Sequence, residues 1–134
     1  MKISIDIPDP RIASILVNAF EGGSNYWYRI ESKVAPPKGE ERPVLEYNEK
    51  DAKVRPTYDW PLTGGALLIS DFYGAGEDDK VTMRLDRNTI DSGLKVMAEK
   101  YPRHFANMLP EGSDDAETGD VFLQCCLFGE LVYG

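Results

Sequence analysis

One histidine, two cysteines and 23 carboxylates are the groups in this chain with the chemistry of a catalyst or a ligand. To activate a nucleophile, His104 would have to lie beside Cys125 or a serine. It sits in a short amphipathic stretch, while Cys125 and Cys126 sit in an apolar run, so no dyad is expected. Adjacent cysteines rarely close an unstrained disulfide with each other, and no spaced Cys/His pattern suggests zinc. Both therefore read as reduced, buried, small apolar residues. Glu77, Asp78 and Asp79 in "GAGEDD" lack the alternating acids and terminal Glu of an EF-hand loop and read as a solvated turn. With 23 acids, some carboxylate pair is always at hand, so pairing alone does not signal acid–base chemistry. No catalytic residue, metal ligand or cofactor is assigned, and a binding protein is expected ahead of an enzyme.

The acids are unevenly placed. Net charge is -8, and residues 111–134 hold six acids with no Lys or Arg. Such a surface repels a phosphate backbone, so direct nucleic-acid binding is not expected. It suits a basic or nucleic-acid-binding protein partner, or mimicry of nucleic-acid charge. Asp114, Asp115, Glu117 and Asp120 could form a metal cluster or, with Glu111, a phosphate-like row. They equally fit the first turns of a helix, where carboxylates complement the macrodipole.

"EGGSNYWYRI" raises a second question. Phosphate-binding glycine loops lead from a strand into a helix. Here Gly22 and Gly23 leave a helix and enter a strand, so they read as a left-handed helix stop. Strand alternation then puts Trp27 and Arg29 on one face, and Trp and Arg dominate interface hot spots. Tyr47, Tyr58 and Trp60, with Arg42, Lys53 and Arg55, form a further aromatic–cationic candidate. The expected partner-binding residues are Trp27, Arg29, Tyr58, Trp60, Arg55, Asp114, Asp115 and Glu117.

The elements that must position these residues follow from periodicity. "KISIDI" alternates as a half-buried strand. "DPRIASILVNAFEGG" places Ile12, Ile15, Leu16, Ala19 and Phe20 on one helical face, with Asp9 as cap and Pro10 in the first turn. "NYWYRIESKV" reads as a strand, and residues 35–63 as an irregular segment rich in Pro and charge. "GALLISDFY" and "KVTMRLD" form a hairpin. A helix capped at Asn88 follows, ended or bent by Pro102, and "PRHFANMLP" adds a turn or two. "SDDAETGDVFLQCCLFGELVYG" reads as a buried core helix capped by Ser113 or Asp114, with Gly119 and Gly129 allowing close packing. A central strand is the alternative for so continuous an apolar run. The whole predicts one α+β domain over residues 1–134 with an antiparallel sheet. No apolar run reaches the roughly 18 residues that cross a bilayer, and "MKISIDIPDP" has no apolar signal core. A cytoplasmic protein of a bacterial host, without membrane contact, is expected.

"AFEGGSNYWYRI" and "DAETGDVFLQCCLFGELVYG" together resemble a family of small acidic proteins encoded by phages and prophages, with EGGxNYW near one end and an apolar FLQxxLFGExVYG pattern near the other. The resemblance covers both ends of the chain and is vaguer for residues 35–63. It carries no catalytic motif and no site residue. It implies a context in which such proteins bind and block host machinery, including CRISPR effectors and other defence complexes. The alternatives are a small enzyme acting on a nucleotide or signal molecule, and a virion or replication assembly protein.

Overall fold

The computed structural model describes residues 6–38, 57–71, 82–109, 112 and 115–133. Its architecture is α+β, with four α-helices and a three-stranded antiparallel sheet among the described residues. Of the expected strand over residues 2–7, residues 2–5 lie outside the described residues, and Asp6 and Ile7 take no regular structure.

Helix α1 (Asp9–Asn18) buries Ile12, Ile15 and Leu16, the face its periodicity marks. Its N-cap is Pro8, one residue earlier than expected. Asp9 forms a two-bonded pair with Arg87 instead, Nη1 to Oδ1 at 2.9 Å and Nη2 to Oδ2 at 2.8 Å. The same guanidinium donates to the Leu62 carbonyl at 2.9 Å, tying three segments together.

The helix does not stop on a left-handed glycine. It widens into a π-turn (Ala19–Gly23), in which the Ser24 amide donates to the Ala19 carbonyl at 2.8 Å. Neither Gly22 nor Gly23 has a positive φ. Gly23 is needed for a different reason: a Cβ there would collide with the Ala116 carbonyl oxygen. The Phe20 carbonyl accepts from the Tyr28 hydroxyl at 2.6 Å, which satisfies a group the wider turn leaves open.

Strand β1 (Tyr28–Val34) starts later than its aromatic run suggests, because residues 24–27 form a turn closed from the Trp27 amide to the Ser24 carbonyl at 3.1 Å. It pairs antiparallel with β2 (Ala66–Asp71), Arg29 opposite Ser70, with an irregularity between Ile30 and Ser32. The central strand β2 also pairs with β3 (Met83–Leu85), Leu67 opposite Leu85, as the hairpin reading requires. Within the segment read as irregular, residues 39–56 lie outside the described residues, and Trp60–Leu62 form a 3₁₀ turn.

Helix α2 (Arg87–Lys100) is capped by Asp86, two residues before the expected Asn88. The Thr89 amide donates to Asp86 Oδ1 at 3.0 Å while the Asp86 amide donates to Thr89 Oγ1 at 2.8 Å, so both orphan donors are satisfied. Helix α3 (Pro102–Met108) follows directly. Helix α4 (Ala116–Phe128) buries Val121, Phe122, Leu123, Cys125 and Cys126 and packs against α1, α2, α3, the π-turn and β3. It is the core helix the apolar run predicts. Its N-cap is Asp115, whose Oδ1 accepts from the Thr118 amide at 2.8 Å. Gly119 does serve close packing: a Cβ there would lie 2.7 Å from the Ala19 nitrogen. Gly129 does not. It is the left-handed C-cap, φ 74°, with open space around it.

Candidate functional site

The turn before β1 folds onto α4 through one carboxylate. Asp120 Oδ1 accepts from Ser24 Oγ at 2.7 Å and from Trp27 Nε1 at 2.8 Å, and Oδ2 accepts from the Tyr26 hydroxyl at 3.2 Å. Ser24 and Trp27 are fully buried. A buried indole N–H needs an acceptor, and Asp120 supplies it. The Trp27 ring packs against Phe128 and Tyr133, at centroid distances of 5.2 and 5.7 Å. Trp27 is therefore a core residue, not the expected partner anchor, and it shares no open face with Arg29, which is exposed on β1. Asp120 is engaged inside the fold rather than in a metal cluster or a phosphate-like row.

Around this buried hub lies an exposed acidic end. The π-turn is laid on the first turn of α4, where a Cβ on Gly22 would sit 3.3 Å from Ala116 Cβ. Asp115 and Glu117 at that turn and Glu21 on the π-turn are all exposed, and Glu21 acts on the Tyr28 and Tyr58 phenols. Tyr26, held by Asp120 at the same end, is 43% exposed. The Asp115 carboxyl is held below its ordinary value, first by the Thr118 amide and then, against some burial, by the Thr118 hydroxyl and His104. Glu117 Oε1 lies 4.0 Å from His104 Nε2. Of the eight expected partner-binding residues, only Asp115 and Glu117 come together here. Asp114 and Arg55 lie outside the described residues, as do Tyr47, Arg42 and Lys53.

Tyr58 and Trp60 are half-buried. Tyr58 stacks on Phe20 at 4.9 Å, and its phenol is pushed up by burial and by Glu21. Tyr28, tilted against Phe20 from the other side at 5.1 Å, is pushed up to about 12 by burial, with Tyr58 and Glu21 adding to it. These aromatics pin their loop to the π-turn. Glu21 and Tyr26 are the site residues that sequence reasoning passed over. Glu21 lies on the polar face of its helix, which was a usable signal. Tyr26 was hidden by a strand register that grouped it with Tyr28.

The groups with nucleophile chemistry are apart. His104 lies against the head of α4, whereas Cys125 is eight residues past Glu117, about 12 Å along the helix axis. Both thiols are free and buried. Burial pushes Cys125 up to about 11 against a small opposing effect of Lys100, and pushes Cys126 well above the ordinary thiol range. Buried thiols held in this form are poor nucleophiles. Among the described residues no group of three or more His, Cys, Asp or Glu side chains is arranged to hold a metal ion, and no helix is long and apolar enough to cross a membrane. No protein-family model, curated protein or solved structure matches this chain.

Proposed function

We propose that this chain is a phage or prophage accessory protein that acts by binding in the host cytoplasm. Its target would be a host defence complex of the CRISPR type or another nucleic-acid-targeting system, which it inhibits by presenting acids to a basic groove. The observation that supports this reading is the pair of exposed carboxylates Asp115 and Glu117 at the head of α4, with exposed Glu21 on the π-turn that packs against this helix and exposed Tyr26 bonded to Asp120, on a chain of net charge -8. Carboxylates displayed on two rigid elements attract a cationic surface over about 10 Å at ordinary ionic strength, and a half-exposed tyrosine offers apolar contact once the surfaces meet. The resemblance at both ends of the chain to phage-encoded proteins supplies the context.

Affinity capture of the tagged protein from a lysate of its host, at low and high salt, tests the reading. A nucleoprotein or defence complex should be recovered, more strongly at low salt. Glu21→Lys with Glu117→Lys should weaken capture most at low salt, because screening removes that contribution. Recovery of no such complex at either salt refutes the inhibitor. Turnover of a nucleotide by the purified chain would favour the enzyme, and capture of virion or replication proteins the assembly role.

A further inference from the structure

Tyr28 and Tyr58 flank Phe20 from two sides. Tyr58 stacks on it at 4.9 Å with the rings 29° apart, and Tyr28 is tilted against it at 5.1 Å. Phe20 itself is 2% exposed, so the aromatic surface that reaches solvent here belongs to the two half-buried tyrosines. The Tyr28 hydroxyl spends its proton on the Phe20 carbonyl at 2.6 Å, so its oxygen can only accept from any other group. Glu21 follows Phe20 on the π-turn and is exposed. Burial raises both phenols first; Tyr58 then acts on Tyr28, and the Glu21 carboxylate raises both, so one charge reaches both hydroxyls. Among the described residues neither the Glu21 carboxylate nor the Tyr58 hydroxyl has a hydrogen-bond or ion-pair partner, and that hydroxyl is open to solvent.

From this arrangement we infer that Glu21, Tyr58 and Tyr28 form a subsite for one arginine side chain of a basic protein partner. A carboxylate and phenol oxygens beside aromatic rings repel an anion and call for a cation rich in donors. A guanidinium is such a cation: it is planar, carries five N–H donors, keeps its charge at any ordinary pH and stacks on aromatic faces. An ammonium feels the same charge but brings no flat face to lay on Tyr58. The inference rests on the binding role proposed above, and it gives the acidic surface one contact that charge alone does not explain.

Two labelled hexapeptides of equal charge test it, one alternating arginine with glycine and the other lysine with glycine. Each is titrated into the full chain at low salt and followed by fluorescence anisotropy. The arginine peptide should bind about threefold or more tighter. Glu21→Gln should weaken the arginine peptide more than the lysine one. Tyr58→Leu should bring the arginine peptide down to the level of the lysine peptide and leave the latter unchanged, whereas Glu117→Gln should weaken both alike. Should Tyr58→Leu fail to fold, the wild-type chain carries the test: the arginine methylene protons should shift upfield in the NMR spectrum on binding, as protons over an aromatic face do. Equal affinity of the two peptides, binding of neither, a preference that survives Tyr58→Leu, or unshifted arginine protons overturns the inference. Equal affinity leaves salt-dependent capture from a lysate untouched, and an empty capture leaves the peptide preference untouched, so the two failures are distinct.

Discussion

Replacing Asp120 separates a structural acceptor from a surface charge. In Asp120→Ala the Ser24 hydroxyl and the Trp27 indole N–H lose their acceptor at positions of zero exposure. An orphaned buried donor costs roughly 1–3 kcal/mol, so two cost about 4 kcal/mol together. Tyr26 is 43% exposed, so water takes over its bond at little cost. Asp120→Asn is different. Both buried donors meet the same oxygen, Oδ1, and an asparagine carbonyl can stand there while its amide turns to the Tyr26 hydroxyl. What is lost is the charge assistance of two hydrogen bonds, about 1–2 kcal/mol. Thermal and urea unfolding followed by far-UV circular dichroism measure both variants without relying on Trp27 emission. For a domain of this size Asp120→Ala should lower Tm by more than about 10 °C, and Asp120→Asn by about a third of that. Trp27→Phe should blunt the effect of Asp120→Ala, because one orphaned donor is already gone. An Asp120→Ala protein within about 1 kcal/mol of wild type would refute the reasoning, as would an asparagine variant as damaged as the alanine one.

Glycine, acid and thiol experiments test other parts of the fold. Gly93→Ala would place a Cβ 2.8 Å from the Cys126 backbone, forcing α2 and α4 apart, and should cost at least about 2 kcal/mol in a denaturant titration. Gly129→Ala meets open space and pays only for its φ of 74°, so it should cost about 1 kcal/mol, and the reverse order would contradict the packing. At Asp86 burial opposes ionisation, but the Thr89 amide and Arg84 outweigh it and the carboxyl ends below its ordinary value of 3.8, while at Asp115 the Thr118 amide leads. Both folded-state values are depressed, so their stabilisation is complete above 3.8 and is lost as pH falls through the lower folded values. Stability measured downward from pH 5 should therefore fall less steeply in an Asp86→Asn/Asp115→Asn protein, which keeps the caps without their titration. Iodoacetamide at pH 8 should leave Cys125 and Cys126 unmodified in the folded protein and label both in urea, as read by mass spectrometry. Rapid native labelling would show that the thiols are reachable.

Periodicity was enough for the α1 face and the β2–β3 pairing, because each is a local pattern repeated over several residues; for the apolar run of α4 it marked burial but left helix and central strand open, and the fold decides for the helix. Caps were legible to within one or two residues. Asp86 and Asp115 prevail over Asn88 and Asp114 once the helix axis is set by what it packs on, a choice the run of polar residues leaves open. The acidic end was legible in Asp115 and Glu117 but not in Glu21 or Tyr26, since the contact joining the π-turn to α4 spans most of the chain.

The two glycine sites show the limit most plainly. From their neighbours, Gly22 and Gly23 look like a left-handed stop and Gly129 like a packing residue. In the fold the roles are exchanged: Gly23 lies under the Ala116 carbonyl and Gly129 carries the positive φ. A glycine signals a missing Cβ and a permissive φ with the same letter. Trp27 is the same case in another form. Its type and strand alternation suit an exposed anchor, yet a carboxylate 93 positions away turns it inward. Composition and period establish which residues seek burial and which faces they share. Which backbone approaches which, and which donor meets which acceptor, arises only when distant segments come into contact.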